Sequence, residues 1–420
     1  MSRVYHSLNP NHVVQSRQEI EGHLLAKISG NKGGKIGTEL ELFVSSPEGR
    51  PITFDQVEMI FEGIAAQFKG TKPAMERGRI IGLNIPDVGD VSLEPGGQME
   101  LSTKPCKDLA ELEKINRIMR AAIDKAAGAF GLKVEGAGHK PAFLKAEDMP
   151  RSRFHAYYGY CRDQYGDKAQ DLINTMKSCC GLQLNFDPQG DDFHEIYRAL
   201  MLADVAQSLK SLTTRQKRLH ETYAALSPEQ LTPVFEALSA RSNEELIAHT
   251  VDRLLTLKVP FVPDPGSAEG FRSTKGIFGH APTVGELLKA GKLTTEILDN
   301  ALSLQLTMPN LRRHGVLETR APDSMDSLGD LMQTATLYTR LAYDPAARKA
   351  FLKEFEGIDP EALKTCFLTR FEQTPTAISR FDLGGGKTAG DLVRAVMGEG
   401  QAPQATAKAA PRGPKQAFGG

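Results

Sequence analysis

Four stretches of the chain alternate apolar and polar residues with a period of two, the spacing that puts successive side chains on opposite faces of a β-strand. In Ile36–Val44, Glu39 and Glu41 fall on one face while Leu40, Leu42 and Val44 fall on the other. Val91–Thr103 (VSLEPGGQMELST) reads as two arms folded back around Pro95-Gly96-Gly97, because proline pre-sets a turn and glycine accepts positive φ. In its second arm Gln98, Glu100 and Ser102 point one way and Met99 and Leu101 the other, with Glu94 beside the turn. Ser178–Pro188 sets Gln183, Asn185 and Asp187 against Leu182, Leu184 and Phe186. In Gly315–Arg320, Glu318 and Arg320 point together.

Helical spacing accounts for most of the remaining chain. It predicts helices over Ser16–Ile28, Pro51–Phe68, Lys107–Phe130, Leu328–Tyr343, Ala346–Phe355 and Pro360–Phe371. Asp192–Leu226 is helical with a break near Ser211–Thr214, and capping boxes start further helices at Ser227, Ser242 and Thr283. Lys133–Pro141 is a short strand, Met149–Phe154 a basic loop, and Val259–Pro265 an extended proline-rich segment. From about Glu399 the chain turns to Ala, Pro, Gly, Gln and Lys, the composition of a tail without a core. The organisation that follows is a helical lead-in over 1–34, one folded unit over 35–398 and a disordered tail over 399–420. The fold class is α+β: a mainly antiparallel, curved sheet, apolar and helix-covered on one face, carboxylate-lined on the other.

Composition narrows the function. A chain of 420 residues at 40% hydrophobic can bury a large core, and a net charge of −1 supplies no field for nucleic acid or acidic membranes. It contains no apolar run long enough to span a membrane and no export leader, and its five cysteines form no CxxC pair. A reduced, cytoplasmic protein acting on small molecules is therefore expected.

The polar sheet face carries Glu39, Glu41, Glu94, Glu100, Asn185, Glu318 and Arg320. Clustered carboxylates need compensation, and oxygen ligands on rigid strands suit magnesium or manganese better than zinc. The scattered histidines offer no competing cluster. Magnesium held in this way, with an arginine, generally serves phosphoryl chemistry. One stretch is a decoy: Gly384-Gly385-Gly386-Lys387-Thr388 ends like a phosphate-binding loop, but the first glycine of that motif would fall at Phe381, and a turn between helices is expected instead.

Several of these stretches, with two others, resemble a known family. GTELE at Gly37–Glu41, IIGL at Ile80–Leu83, SLEPGGQMELS at Ser92–Ser102, MPRSRF at Met149–Phe154, QLNFD at Gln183–Asp187 and LETRAPDS at Leu317–Ser324 are similar to glutamate–cysteine ligases of the plant and proteobacterial type. The order and spacing agree over about Lys35 to Leu331. The resemblance implies a glutamine-synthetase-like sheet and ATP-dependent joining of the glutamate γ-carboxylate to the amine of cysteine, through an acyl phosphate. It implies that Glu39, Glu41, Glu94, Glu100 and Glu318 hold magnesium. Asn185 and Gln183 would lie beside the nucleotide, Arg320 would contact ATP phosphate, and Arg153 would contact a substrate carboxylate or phosphate.

The chain departs from the family after its third alternating strand. An Ala-Asn-Ser-Pro segment and a Ser-x-Arg-x-x-x-Trp element are replaced by Leu209–Arg218, and the chain has no tryptophan. Arg215 or Arg218 takes the place of the missing arginine. Three readings stand: the glutamate–cysteine ligase itself, a related ligase with a different amine or acid, and a non-catalytic descendant that binds nucleotide or a partner. Retention of all five glutamates argues against the last.

Overall fold

The structure is a computed structural model, and it describes residues 9, 11–31, 33–190, 192–226, 232–264, 270–304, 308–397 and 404–405. Its centre is an antiparallel sheet of nine strands. These are β1 (Ile36–Ser45), β2 (Lys72–Glu76), β3 (Arg79–Ile85), β4 (Gly89–Leu93), β5 (Met99–Thr103), β6 (Lys133–Glu135), β7 (Leu182–Phe186), β8 (Asn310–Leu311) and β9 (Leu317–Thr319). Their order is β8-β9-β7-β1-β5-β4-β3-β2, with β6 pairing the far end of β1 at Phe43–Ser45. Every strand that showed alternation in the sequence is here, and β1 stands in the middle.

The apolar face behaves as its pattern requires. Leu40, Leu42, Met99, Leu101, Leu184 and Phe186 are all buried. Against them pack α3 (Leu109–Gly128), whose Asn116 accepts a hydrogen bond from Thr38 Oγ1 at 3.1 Å, and the helix Leu328–Tyr343, whose Tyr343 ring meets Phe186. Pairing β1 with β5 and β7 therefore turns local alternation into a two-sided layer.

Two features lie outside the sequence reading. The hairpin β2–β3 extends the sheet at one edge; β2 is exposed and carries Lys72 and Pro73, an edge chemistry without an alternating signal. The basic loop expected over Met149–Phe154 is a loop only as far as Arg151. Ser152–Tyr165 forms α4 and Ala169–Ser178 forms α5, so Arg153 sits in the first turn of a helix. The aromatic residues of α4 fall on several sides, which hides the helical period.

Other expectations can be placed directly. The break after α6 (Phe193–Lys210) occurs at Ser211–Leu212, before α7 (Thr214–Leu226). Thr283 and Glu286 make the full capping box. Ser242 caps its helix at Glu245 N, but the Glu245 carboxylate turns to Arg241 N instead of closing the box. The start expected at Ser227 lies outside the described residues, as does the tail except for Gln404–Ala405, which pairs in parallel with Ser211–Leu212. Leu383–Thr388 is a turn between helices: Leu383 N donates to Lys387 O, and Lys387 points to Glu354. Among the described residues no helix is long and apolar enough to cross a membrane.

The turn between β4 and β5 is clamped from outside the sheet. Gln98 is buried; its amide donates to Met176 O and Cys179 O at the end of α5, while its carbonyl accepts from Gly96 N at 2.6 Å. Gly97 takes φ +83°, and a Cβ on Gly96 would stand 2.5 Å from Lys177 O. Glycine is needed at both positions for different reasons, one conformational and one steric. Gly96→Ala is expected to lower stability by about 1–3 kcal/mol, as overpacking does. Denaturant unfolding measures this, and an unchanged midpoint would mean that α5 moves away without cost.

Candidate active site

The polar face of the sheet assembles by register. Glu41 on β1 lies opposite Glu100 on β5, Glu39 opposite Gln183 on β7, and Asn185 opposite Glu318 on β9. Glu94 follows β4 at the turn, where its N–H donates to Gln98 O. The five glutamates and Asn185 read from the sequence thus share one face.

Each carboxylate has neighbours of its own. Asn185 Nδ2 donates to Glu39 Oε1 at 3.0 Å, and Gln183 Nε2 donates to Glu41 Oε1 at 3.0 Å. Gly181 N donates to Glu41 Oε2 at 2.6 Å. Ser92 and Ser102 hydroxyls both donate to Glu100 Oε1. Glu318, 0% exposed, pairs with Arg320, and Arg312 Nε lies 3.1 Å from its other oxygen without the alignment of a hydrogen bond.

The acidic face is covered rather than open to solvent. Arg151, Arg153, Phe154 and Tyr157 from the start of α4, Met176 from α5, and Phe261 and Leu304 from later segments close over it, leaving a cavity of about 200 Å³. Burial raises the pKa of three carboxyls. Glu39 is pushed up to about 8 by burial first and then by Glu318 and Glu100. Glu94 rises well above the carboxylate range through burial, Glu100 and Glu41, and Glu100 rises through burial and Glu41. Burial opposes the charge on Arg320, but Glu318, Glu39 and Glu41 outweigh it and hold its pKa above the ordinary arginine value. Arg153 is lowered by burial and by Arg151, against the pull of Glu94. The pocket therefore holds an excess of negative charge that its own arginines only partly offset.

The residues missed by the sequence reading come from nonlocal packing. Arg312, beyond β8, reaches the same cavity and donates to Ser303 O at 3.3 Å. Arg151, in the same motif as Arg153, donates to Leu93 O at 2.9 Å. Asp204 on α6 accepts from Tyr338 Oη at 2.9 Å and from Arg320 N at 3.2 Å, fixing the strand end that carries Arg320; burial pushes its carboxyl up to about 7. A lone aspartate in an apolar helical run (LMLADVAQ) was the available signal.

The departing segment can also be placed. Arg215 on α7 lines a second cavity, also about 200 Å³, that shares Glu41, Glu94, Gln183 and Arg320 with the first. It pairs with Asp323 at 3.3 Å and its other N–H groups face the carbonyls of Arg320, Ala321 and Pro322. Arg218 is not among the residues lining either cavity. All five cysteines are free and buried; Cys179, at the wall of the second cavity, has its thiol pushed up to about 12 by burial, which makes it a poor nucleophile.

The residues present suit a hard divalent cation, since the donors are oxygens and three of the carboxyls are raised by burial and by one another's charge. As they stand, no three His, Cys, Asp or Glu side chains among the described residues are gathered around one point. Glu39, Glu41, Glu100 and Glu318 are turned instead onto the amides, hydroxyls and arginines named above. Side-chain rotation from those partners would accompany metal binding.

A carboxylate-faced antiparallel sheet with arginines closing over it is the kind of site that the motifs implied. Residues 35–210 match the family model for glutamate–cysteine ligase family 2. Chloroplastic glutamate–cysteine ligases are similar over part of their length: that of Solanum lycopersicum is 30% identical over 200 residues, and that of Arabidopsis thaliana 29% over 200. Each alignment covers 46% of this chain and 37% of the relative, so the match spans well under half of these proteins. Among solved structures, the ligase PafA in complex with the prokaryotic ubiquitin-like protein Pup superimposes with a TM-score of 0.37 and 10% identity, over 88% of this chain and 58% of that one.

Proposed function

We propose that the chain is an ATP- and magnesium-dependent ligase that activates the glutamate γ-carboxylate as an acyl phosphate and passes the acyl group to an amine, with cysteine as the first candidate. The observation that carries this reading is the convergence of Glu39, Glu41, Glu94, Glu100 and Glu318 with Arg153, Arg312 and Arg320 on one enclosed face, four of the glutamates and Arg153 within the family segment. The unit responsible is residues 35–398, and five free, buried cysteines fit a reducing compartment such as the cytoplasm.

Magnesium on the five glutamates would neutralise the oxygens of the transferring phosphoryl group. Arg320 and Arg312 lie where they can bind those same oxygens, and Arg153 can bind the carboxylate of the acid. Gln183 and Asn185 orient Glu41 and Glu39. The acid's oxygen attacks the γ-phosphorus as the bond to ADP breaks; the amine nitrogen then attacks the acyl carbon, phosphate leaves, and the nitrogen loses a proton. The covering helices keep water from the acyl phosphate, which would otherwise hydrolyse.

A second reading, the same chemistry with another acceptor, is favoured by α7, which builds the wall of the second cavity with a segment unlike the family's. Phosphate release from ATP with magnesium, glutamate and a panel of amines tests both. Release that depends on glutamate and one amine is expected. Absence of glutamate-dependent release, with no hydroxamate formed when hydroxylamine replaces the amine, would overturn the proposal.

A further inference from the structure

Three arginines line the second cavity, and two of them are neutralised by the protein: Arg215 by Asp323, and Arg320 by Glu318. The third, Arg370, has no such partner among the described residues. It caps the helix Pro360–Thr369, is 4% exposed, and its guanidinium lies 3.9 Å from the centroid of Phe367 and 4.4 Å from that of Phe371. It donates to Phe367 O, while its Nε has no hydrogen-bond partner and no carboxylate among the described residues lies within ion-pair distance. The neighbouring His220 is held neutral, its pKa pushed down to about 4 by burial and by Arg370, so it brings neither a second positive charge nor a counter-ion.

A buried cation without a counter-ion is costly, and one helix carbonyl does not neutralise it. Contact with two rings holds the guanidinium in place, and Arg370 lines the cavity, where a planar anion such as a carboxylate can pair with it. The surrounding wall includes Met176, Leu219, Met308 and Phe367, and an apolar lining strengthens such a pair. At its other end the cavity opens onto Glu41, Glu94 and Arg320, where the acyl phosphate would form. The cavity containing Arg151 and Arg153 is left for the acid.

Resting on the ligase reading, we propose that this second cavity seats the acceptor, and that Arg370 binds a carboxylate carried by the acceptor. The acceptor is then an amino acid and not a simple amine. Arg370 lies outside the residues matched by the family model, so this recognition belongs to the part of the chain where it departs from its relatives.

The test compares each amino acid with its decarboxylated amine, cysteine against cysteamine and alanine against ethylamine, in ATP- and glutamate-dependent phosphate release. The wild-type protein is expected to use at least one amino acid with a KM ten- to hundredfold below that of its decarboxylated partner, the worth of a charge-assisted pair. In Arg370→Met the advantage disappears through KM with kcat nearly unchanged; Arg370→Lys keeps part of it. Hydroxamate formation from glutamate and hydroxylamine, which needs no acceptor, stays at wild-type level in both variants. Equal use of amino acid and amine by the wild type overturns the proposal and needs no variant to fold. A raised glutamate KM in the hydroxamate assay overturns it too, by assigning Arg370 to the acid. Absence of hydroxamate in the wild type sinks the ligase reading and this proposal with it.

Discussion

Arg320→Lys is expected to fold and to turn over at least tenfold more slowly than the wild type. Arg320 is held from both sides: its side chain pairs with Glu318, and its backbone N–H bonds to Asp204, which Tyr338 holds in turn. A guanidinium fixed in this way is preorganised for charge developing on a phosphoryl group, and losing one such donor costs about 10²–10³ in rate. Lysine keeps the charge, so Glu318 stays compensated, but it lacks the fork that can bind Glu318 and a phosphate oxygen together. Arg320→Ala behaves differently. It strands a fully buried Glu318 with only the misaligned Arg312 nearby, and removing one partner of a buried pair costs about 3–5 kcal/mol. The alanine variant should therefore lose stability as well as rate, whereas the lysine variant loses rate alone. Thermal melting beside steady-state phosphate release separates the two effects. Wild-type turnover in Arg320→Lys with the true substrates would reduce the pair to a structural one.

Without magnesium, the protein is expected to lose stability as pH rises from about 5 to above 8, and magnesium should restore more of it the higher the pH. Glu39 is one reason, because burial, Glu318 and Glu100 push its pKa up to about 8, and Glu94 and Glu100, also raised, act in the same direction. A carboxyl raised in the folded state binds protons that the unfolded chain has released, so its contribution is complete below the ordinary carboxylate value near 4.5. That contribution is lost as pH climbs through about 8. A cation must displace the same proton, so affinity for magnesium should gain up to about tenfold per pH unit below 8 for one competing proton. Glu39→Gln cannot titrate there: its melting temperature should depend less on pH, and its stabilisation by magnesium should be nearly abolished. Asp204, raised to about 7 by burial, adds to the slope in both proteins and cancels in the comparison. Melting curves at pH 6, 7 and 8, with and without magnesium, are sufficient. Stabilisation by magnesium that is independent of pH, or that survives in Glu39→Gln, would refute the metal assignment.

Alternation alone determined the strands that carry the glutamates, though not the edge hairpin β2–β3. In Ile36–Val44, Gln98–Ser102 and Gln183–Asp187 it separated the apolar from the polar face, because side-chain direction in a strand depends on nothing beyond position parity. The helix Leu328–Tyr343 was equally legible from its period. So was the grouping of the glutamates, since five carboxylates on the same parity of paired strands have only one face to occupy.

The tertiary structure decided what stands over that face. Helix α4, hidden by aromatic residues on several sides, and α5 cover the carboxylates and take away much of the water that would have kept them ionised. Their raised pKa values follow from that cover, so no reading of β1 or β5 alone could supply them. Arg312 and Arg370 reach the cavities, and Asp204 reaches the strand end that carries Arg320, from points far apart in the chain, and whether each is paired depends on partners from other elements. Parity is a local property of the backbone, whereas desolvation and charge pairing belong to the assembled interior. The sequence therefore determined which carboxylates share the sheet face, and only the packing decided which further residues join them and which are charged, paired or left for a ligand.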